Sequence, residues 1–230
     1  MLSNRRAILV VNFKNFHEIF GDKAFELALD VQDVSTTLKV PIIVSPPAPL
    51  ISVMTKNLRI PVYSQHVDVD SAGSSTGAVI PELLQSLGVH GSIVNHSERR
   101  ISIKDIEVLI MRLRKAGMKS LVCARTPEEV GEIARLGPDM LAVEPPELIG
   151  SGRAVSKVAP EIVSDSVRAS KRANPEVQLL CGAGVVTSED VEISLGLGAE
   201  GVLVASGIVK AQDWKSKIRE LARPIGSYMS

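Results

Sequence analysis

The stretch LVCARTPEEVGEIARLGPDMLAVE, from Leu121 to Glu144, decides the fold. It opens on a short apolar run, Leu121-Val122-Cys123, and closes on another, Met140-Leu141-Ala142-Val143. Between them, Thr126-Pro127-Glu128-Glu129 reads as a capping box with proline at the first helical position. Val130, Ile133 and Ala134 follow at helical spacing and face inward, and Gly137 stops the helix. The stretch is therefore a strand, a helix and a second strand. Both runs are apolar throughout instead of alternating, as strands are when helices cover both faces of a parallel sheet.

The same unit repeats in both directions. Upstream runs are Ala7-Ile8-Leu9-Val10-Val11, Pro41-Ile42-Ile43-Val44, Ile60-Pro61-Val62-Tyr63 and Gly91-Ser92-Ile93-Val94. Downstream runs are Val177-Gln178-Leu179-Leu180 and Val202-Leu203-Val204. Helical stripes lie between most of them. Ala24, Leu27, Ala28, Val31, Val34 and Leu38 form one, and Leu83, Leu84 and Leu87 a short one ended by Gly88. Ile106, Leu109, Ile110 and Leu113 form another, ended by Gly117. Ile162, Val163 and Val167 follow, then Val191 and Leu195 after a Thr187-Ser188 start, then Trp214, Ile218 and Leu221. After the second run, Pro46-Pro47-Ala48-Pro49 delays any helix to about Leu50–Met54.

Eight runs in 230 residues give about 29 residues per unit, roughly what a strand–helix–strand unit needs. Two architectures alternate in this way, an open doubly wound sheet and a closed barrel. An open sheet usually carries a glycine-rich turn after its first strand, and Asn12-Phe13-Lys14-Asn15-Phe16 has no glycine there. The reading is an α/β fold, a closed barrel of eight strands and eight helical connections. No linker or break in composition interrupts residues 1–230, so they read as one domain.

The bulk numbers exclude several classes. The chain has 26 basic and 26 acidic residues and a net charge of zero, which argues against a nucleic-acid partner. It has two cysteines, Cys123 and Cys181, so no disulfide framework is expected. No apolar run suits a signal peptide or a membrane span. The expectation is a cytoplasmic protein.

In a barrel of this kind the active site lies at the C-terminal ends of the strands. Asn12 and Lys14 follow the first run, and Asn95-His96-Ser97-Glu98 the fourth. Glu144 follows the sixth, Gly182-Ala183-Gly184 the seventh and Ala205-Ser206-Gly207 the eighth. Lys14, His96 and Glu144 should therefore meet at one mouth. A carboxylate that takes a proton, opposite a cation and an imidazole that stabilise the developing oxyanion, suits proton abstraction beside a carbonyl. The small residues after the last two strands let backbone approach a ligand and suit a phosphate.

These residues also carry a resemblance. Ala142-Val143-Glu144-Pro145-Pro146-Glu147-Leu148-Ile149-Gly150-Ser151-Gly152 resembles the catalytic glutamate and lid loop of triosephosphate isomerases. Asn95-His96-Ser97-Glu98-Arg99-Arg100 resembles their histidine motif, Asn12-Phe13-Lys14 their Asn-x-Lys, and Gly201 to Gly207 their last phosphate loop. The match runs from about Ala7 to Lys210, and the four motifs in order are highly specific. Pro145-Pro146-Glu147 stands where Pro-Val-Trp is common, and Cys181-Gly182-Ala183-Gly184 where Tyr-Gly-Gly-Ser is common. With the short chain, these departures look like the archaeal branch.

The resemblance implies a (β/α)8 TIM barrel that interconverts dihydroxyacetone phosphate and glyceraldehyde 3-phosphate, in glycolysis and gluconeogenesis, with no cofactor and no metal. Glu144 would be the base and His96 the neutral electrophile, a division of work established for that family and carried over with it. Lys14 would complete the catalytic set, and Asn12, Phe13 and Lys14 would hold the substrate. Glu98 would pair with Lys14. Ile149 and Gly150 would belong to the lid, and Gly184, Ala205 and Ser206 would complete the phosphate site. Thr76, in the loop Ser74-Ser75-Thr76-Gly77, would reach a neighbouring subunit of a homotetramer or dimer. His17, His66 and His90 read as structural, and both cysteines as packing residues. Two other functions stay open on the residues alone. One is a metal-using epimerase or synthase on the same barrel, with Asp68 and Asp70 close together; the other is a silent sugar-phosphate sensor.

Overall fold

The computed structural model describes residues 6–145 and 154–228. Its strands are β1 (Ile8–Asn12), β2 (Ile42–Ser45), β3 (Tyr63–Ser64), β4 (Gly91–Val94), β5 (Lys119–Ala124), β6 (Met140–Val143), β7 (Gln178–Gly182) and β8 (Gly201–Val204). Its helices are α1 (Lys23–Leu38), α2 (Ile51–Asn57), α3 (Pro81–Ser86), α4 (Ile103–Lys115), α5 (Pro127–Ala134) and α6 (Val155–Val158). They continue with α7 (Pro160–Ala173), α8 (Ser188–Gly196), α9 (Ser206–Val209) and α10 (Trp214–Tyr228).

All strand pairs are parallel, in the order β2-β1-β8-β7-β6-β5-β4-β3. The two ends of that order meet through a parallel bridge between Val44 and Val62, with the Val44 N–H donating to the Pro61 carbonyl at 3.1 Å. This seam closes the barrel. It is also where the third strand departs from expectation. The run Ile60–Tyr63 yields only the two-residue strand Tyr63–Ser64; ahead of it Pro61 has no N–H to give to a ladder, and Val62 makes the isolated bridge to Val44.

Alternation along the strands sorts the core into an inner cluster and two outer ones. Val10, Ile43, Tyr63, Ile93, Leu121, Ala142, Leu180 and Leu203 fill the barrel. Leu9, Val11, Val44 and Val202 face outward onto α1, α8 and α10, while Val94, Val122, Leu141 and Val143 face α4 and α5. The same alternation sets the mouth. Two residues beyond Val10 comes Asn12, two beyond Ala142 comes Glu144, and two beyond Leu180 comes Gly182. All three therefore point inward at the C-terminal rim.

The expected capping box at α5 is only half formed. The Glu129 N–H donates to the Thr126 hydroxyl at 3.3 Å, but the Glu129 carboxylate accepts from the Arg125 N–H at 2.7 Å and from the Arg100 guanidinium. The Arg125 backbone N–H and the Arg100 guanidinium take the place of the cap N–H. The reciprocal box forms at α8 instead, between Thr187 and Asp190.

Candidate active site

At the rim, β1 ends on Asn12 and the chain enters Lys14 with a φ of 48°, a left-handed conformation that lysine rarely adopts. Two side chains hold that turn. The Lys14 N–H donates to Asn12 Oδ1 at 3.1 Å. From the far side, Gln65 Nε2 donates to the Lys14 carbonyl at 3.2 Å and to the Ser45 carbonyl at 3.1 Å. The strain is thus fixed between β1, β2 and the end of β3, as strained residues at functional sites usually are. Lys14 Nζ lies 2.7 Å from Glu98 Oε1.

The turn after β4 is built around Asn95, which is fully buried with a φ of 61°. Its side-chain amide donates to the Cys123 carbonyl at 2.9 Å, and its oxygen accepts from the Ile101 N–H at 3.0 Å. That loop presents His96. The His96 Nδ1 accepts from the Glu98 N–H at 3.1 Å, so in the neutral ring the proton sits on Nε2. Nε2 faces Glu144, 3.6 Å from Oε2.

Glu144 is 5% exposed. Its N–H still belongs to the β5–β6 ladder, donating to the Ala124 carbonyl at 2.8 Å. Its Oε2 is buried with no hydrogen-bond partner. A buried carboxylate oxygen left unpaired is costly, and such groups mark sites where a partner is brought by a ligand. Cys123 lies against this carboxylate. Burial first, and the Glu144 charge second, push its thiol well above the usual range. Burial pushes the Cys181 thiol up to about 12. Neither is a thiolate nucleophile, which agrees with the packing role read for them.

Asn12, Lys14, His96, Glu98, Glu144, Gly184, Ala205 and Ser206 line one cavity of about 170 Å³. Phe16, Ala183, Val185, Leu203, Val204 and Gly207 complete its wall. Ala183 and Gly184 have φ values of 74° and 73°, which turns the β7 loop over the cavity beside the start of α9. A second cleft of about 380 Å³ shares Asn12, Lys14, His96 and Glu98 and continues to Gln65, His66 and Arg99. A larger groove, about 760 Å³ between α8 and α10, lies on the outer surface away from every strand end. Size does not select the site here; convergent polar groups do.

Phe13 and Thr76 do not line this mouth. Phe13 is fully buried in the outer core with Leu9 and Val11. Strand alternation turns its side chain to the opposite face from Asn12, so it does not line the cavity. Thr76 is exposed on the loop between β3 and α3 and lines no part of the mouth. Ile149 and Gly150 lie outside the described residues. Asp68, weighed as a metal ligand, is already engaged. Its carboxylate accepts from the Val79 N–H at 2.8 Å, Arg99 at 3.0 Å and His66 at 3.1 Å. Among the described residues no group of three or more His, Cys, Asp or Glu side chains is placed to hold a metal ion. Gln65 went unread in the sequence, although it directly follows a strand and so obeys the rule that found Lys14 and His96.

The sequence model of one family, described as triosephosphate isomerase, matches residues 7–221. The chain belongs to the triosephosphate isomerase family. Proteins named triosephosphate isomerase from three archaea are similar to it along almost their whole length. The one from Methanothermus fervidus is 45% identical over 216 residues, covering 94% of this chain and 97% of its own. The one from Archaeoglobus fulgidus is 44% identical over 217 residues, covering 94% and 97%. The one from Methanocaldococcus jannaschii is 42% identical over 216 residues, covering 94% and 99%. Both the TIM barrel and the archaeal-type resemblance agree with these matches.

Proposed function

We propose that this triosephosphate isomerase family member interconverts dihydroxyacetone phosphate and D-glyceraldehyde 3-phosphate through an enediol or enediolate. The observation that carries the reading is the unpaired Glu144 Oε2, 3.6 Å from His96 Nε2 across a cavity that Lys14 also lines. Glu144 removes a proton from the carbon beside the carbonyl and so becomes a neutral acid. The electron pair moves to the carbonyl oxygen. The His96 Nε2–H and the Lys14 ammonium stabilise that oxygen; the proton of the neighbouring hydroxyl then passes to it, relayed by His96, as Glu144 returns its own proton to the former carbonyl carbon, and the carbonyl ends on the neighbouring carbon. The atoms balance with no oxidant, metal or cofactor. Asn12 fixes Lys14. The loops at Gly184 and Ala205-Ser206 hold the phosphate, and Ile149 and Gly150 act in a lid that keeps water from the intermediate.

This reading extends to the setting. The chain acts as one domain over residues 1–230, in the cytoplasm, in glycolysis and gluconeogenesis. It works as a homo-oligomer, a tetramer or a dimer, in which Thr76 reaches a neighbouring subunit. Two features are consistent with this: no helix among the described residues is long and apolar enough to cross a membrane, and Thr76 is exposed. The test is a coupled isomerase assay on purified protein in chelator-treated buffer. Turnover of glyceraldehyde 3-phosphate is expected. Binding of a phosphate-bearing mimic without turnover would overturn the reading in favour of a silent sensor.

A further inference from the structure

Gly182 lies beside Glu144 on the β6–β7 ladder. Val143 pairs with Cys181, so one step further along, Glu144 and Gly182 are cross-strand neighbours on the inner face. A Cβ built on Gly182 would stand 2.7 Å from Glu144 Cγ, 3.1 Å from Oε1 and 3.2 Å from Cδ. Carbon atoms in contact rest about 3.5–4.0 Å apart, so a methyl group there would displace the carboxylate by roughly 1 Å. The three nearest atoms all belong to Glu144. Nor is Gly182 among the positive-φ glycines, so its backbone does not call for glycine. What the position supplies is the missing side chain.

On one side the Cys123 thiol hydrogen-bonds to the Glu144 carboxylate. Its Oε2 has no hydrogen-bond partner, so packing rather than a hydrogen bond sets where that oxygen sits. We infer that Gly182 is a positioning residue for the base, its bare Cα forming the platform on which Glu144 lies with Oε2 facing His96. The inference rests on the proposed reading that Glu144 is the base. The contact itself is tested independently of activity.

The experiment compares wild type, Gly182→Ala, Glu144→Ala and the double variant, by thermal melting and by steady-state kinetics. If the methyl meets only Glu144, Gly182→Ala lowers Tm by about 4 °C or more in wild type. With Glu144 already alanine the same change costs less than about 1 °C. Equal losses in both backgrounds would overturn the inference. If Gly182→Ala does not fold, a folded double variant supports it and an unfolded one overturns it. In the isomerase assay Gly182→Ala lowers kcat about 100-fold, with KM within about twofold. An unchanged kcat overturns it as well. Should wild type show no isomerase activity, the functional reading fails while the melting cycle still judges the contact.

Discussion

The two sides of the mouth are built by opposite means. On the β1–β4 side Lys14 and the His96 ring are each held by named partners. Asn12 and Gln65 clamp the backbone of Lys14, Glu98 pairs its ammonium, and the Glu98 N–H fixes the His96 ring. On the β6–β7 side the carboxylate of Glu144 has an oxygen with no partner and lies over a glycine. The first side is a preset field, whose donors need no rearrangement when an oxyanion forms. The second is a proton acceptor with one oxygen left unpaired. An acceptor held by hydrogen bonds on both oxygens would be a poorer base, because each bond would have to break or weaken as the proton arrived.

The largest effect should follow removal of the free side. Glu144→Gln keeps the shape and loses the acceptor, so kcat should fall about 1,000-fold or more. Affinity for a phosphate-bearing inhibitor should stay within a few-fold, since the phosphate loops are untouched. Near-normal turnover in this variant would place the base elsewhere and end the contrast between the two sides. On the tied side, Lys14→Met should lower kcat/KM by about 100-fold, with both constants affected because the cation meets substrate and oxyanion alike. Glu98 is left without its partner, but it is 59% exposed, so the fold should tolerate the change. A loss confined to KM would show that Lys14 binds substrate without stabilising the oxyanion.

The tied side was also the more legible in the sequence, and the reason is local. Lys14, His96 and Glu98 are polar residues just past apolar runs, and the Lys14 N–H and the His96 ring each find a partner two residues away. What escaped reading depends on a second strand. Gln65 was passed over because the run Ile60–Tyr63 ends before the strand does; the strand is Tyr63–Ser64, which puts Gln65 at the rim. Phe13 sits between two rim residues and was grouped with them, yet alternation sends it to the outer core. Gly182 has meaning only through the register that sets it beside Glu144, and no single strand encodes its register. The barrel itself was legible from eight evenly spaced apolar runs, because period and run length are properties of one segment at a time.

A smaller effect should come from loosening the clamp without touching a charged group. Gln65→Ala removes two hydrogen bonds and takes the side-chain donor from the Lys14 carbonyl, while the Ser45 carbonyl keeps the Phe13 N–H at 3.0 Å. Stability should fall by about 1–3 kcal/mol in denaturant titration. The strained Lys14 backbone can then relax, and kcat should fall about tenfold. Lost stability with unchanged kcat would make Gln65 a structural strut only, and the rigidity of the tied side would then be incidental to its chemistry.

The smallest effect is a pH dependence in the stability of the tied side's outer edge, where His66 and Asp68 sit behind Arg99. Burial pushes the His66 imidazole below its usual range and the Arg99 guanidinium adds to this, while Asp68 pulls the other way. Burial would raise the Asp68 carboxyl, but the Val79 N–H, His66 and Arg99 together hold it low. Both groups are depressed on folding, so the unfolded chain takes up protons first as pH falls. Their contribution is complete above pH 6.5. The His66 part is lost as pH falls from there through its lowered folded value, and the Asp68 part only below the usual 3.8. Amide exchange at Val79, whose N–H is held by Asp68, reports this edge directly. Exchange should quicken between pH 7 and pH 5 relative to its intrinsic pH trend, and His66→Gln should flatten that change. If the variant and the wild type follow the same curve, His66 does not titrate with the opening of this loop, and the tied side is held by its backbone clamps alone.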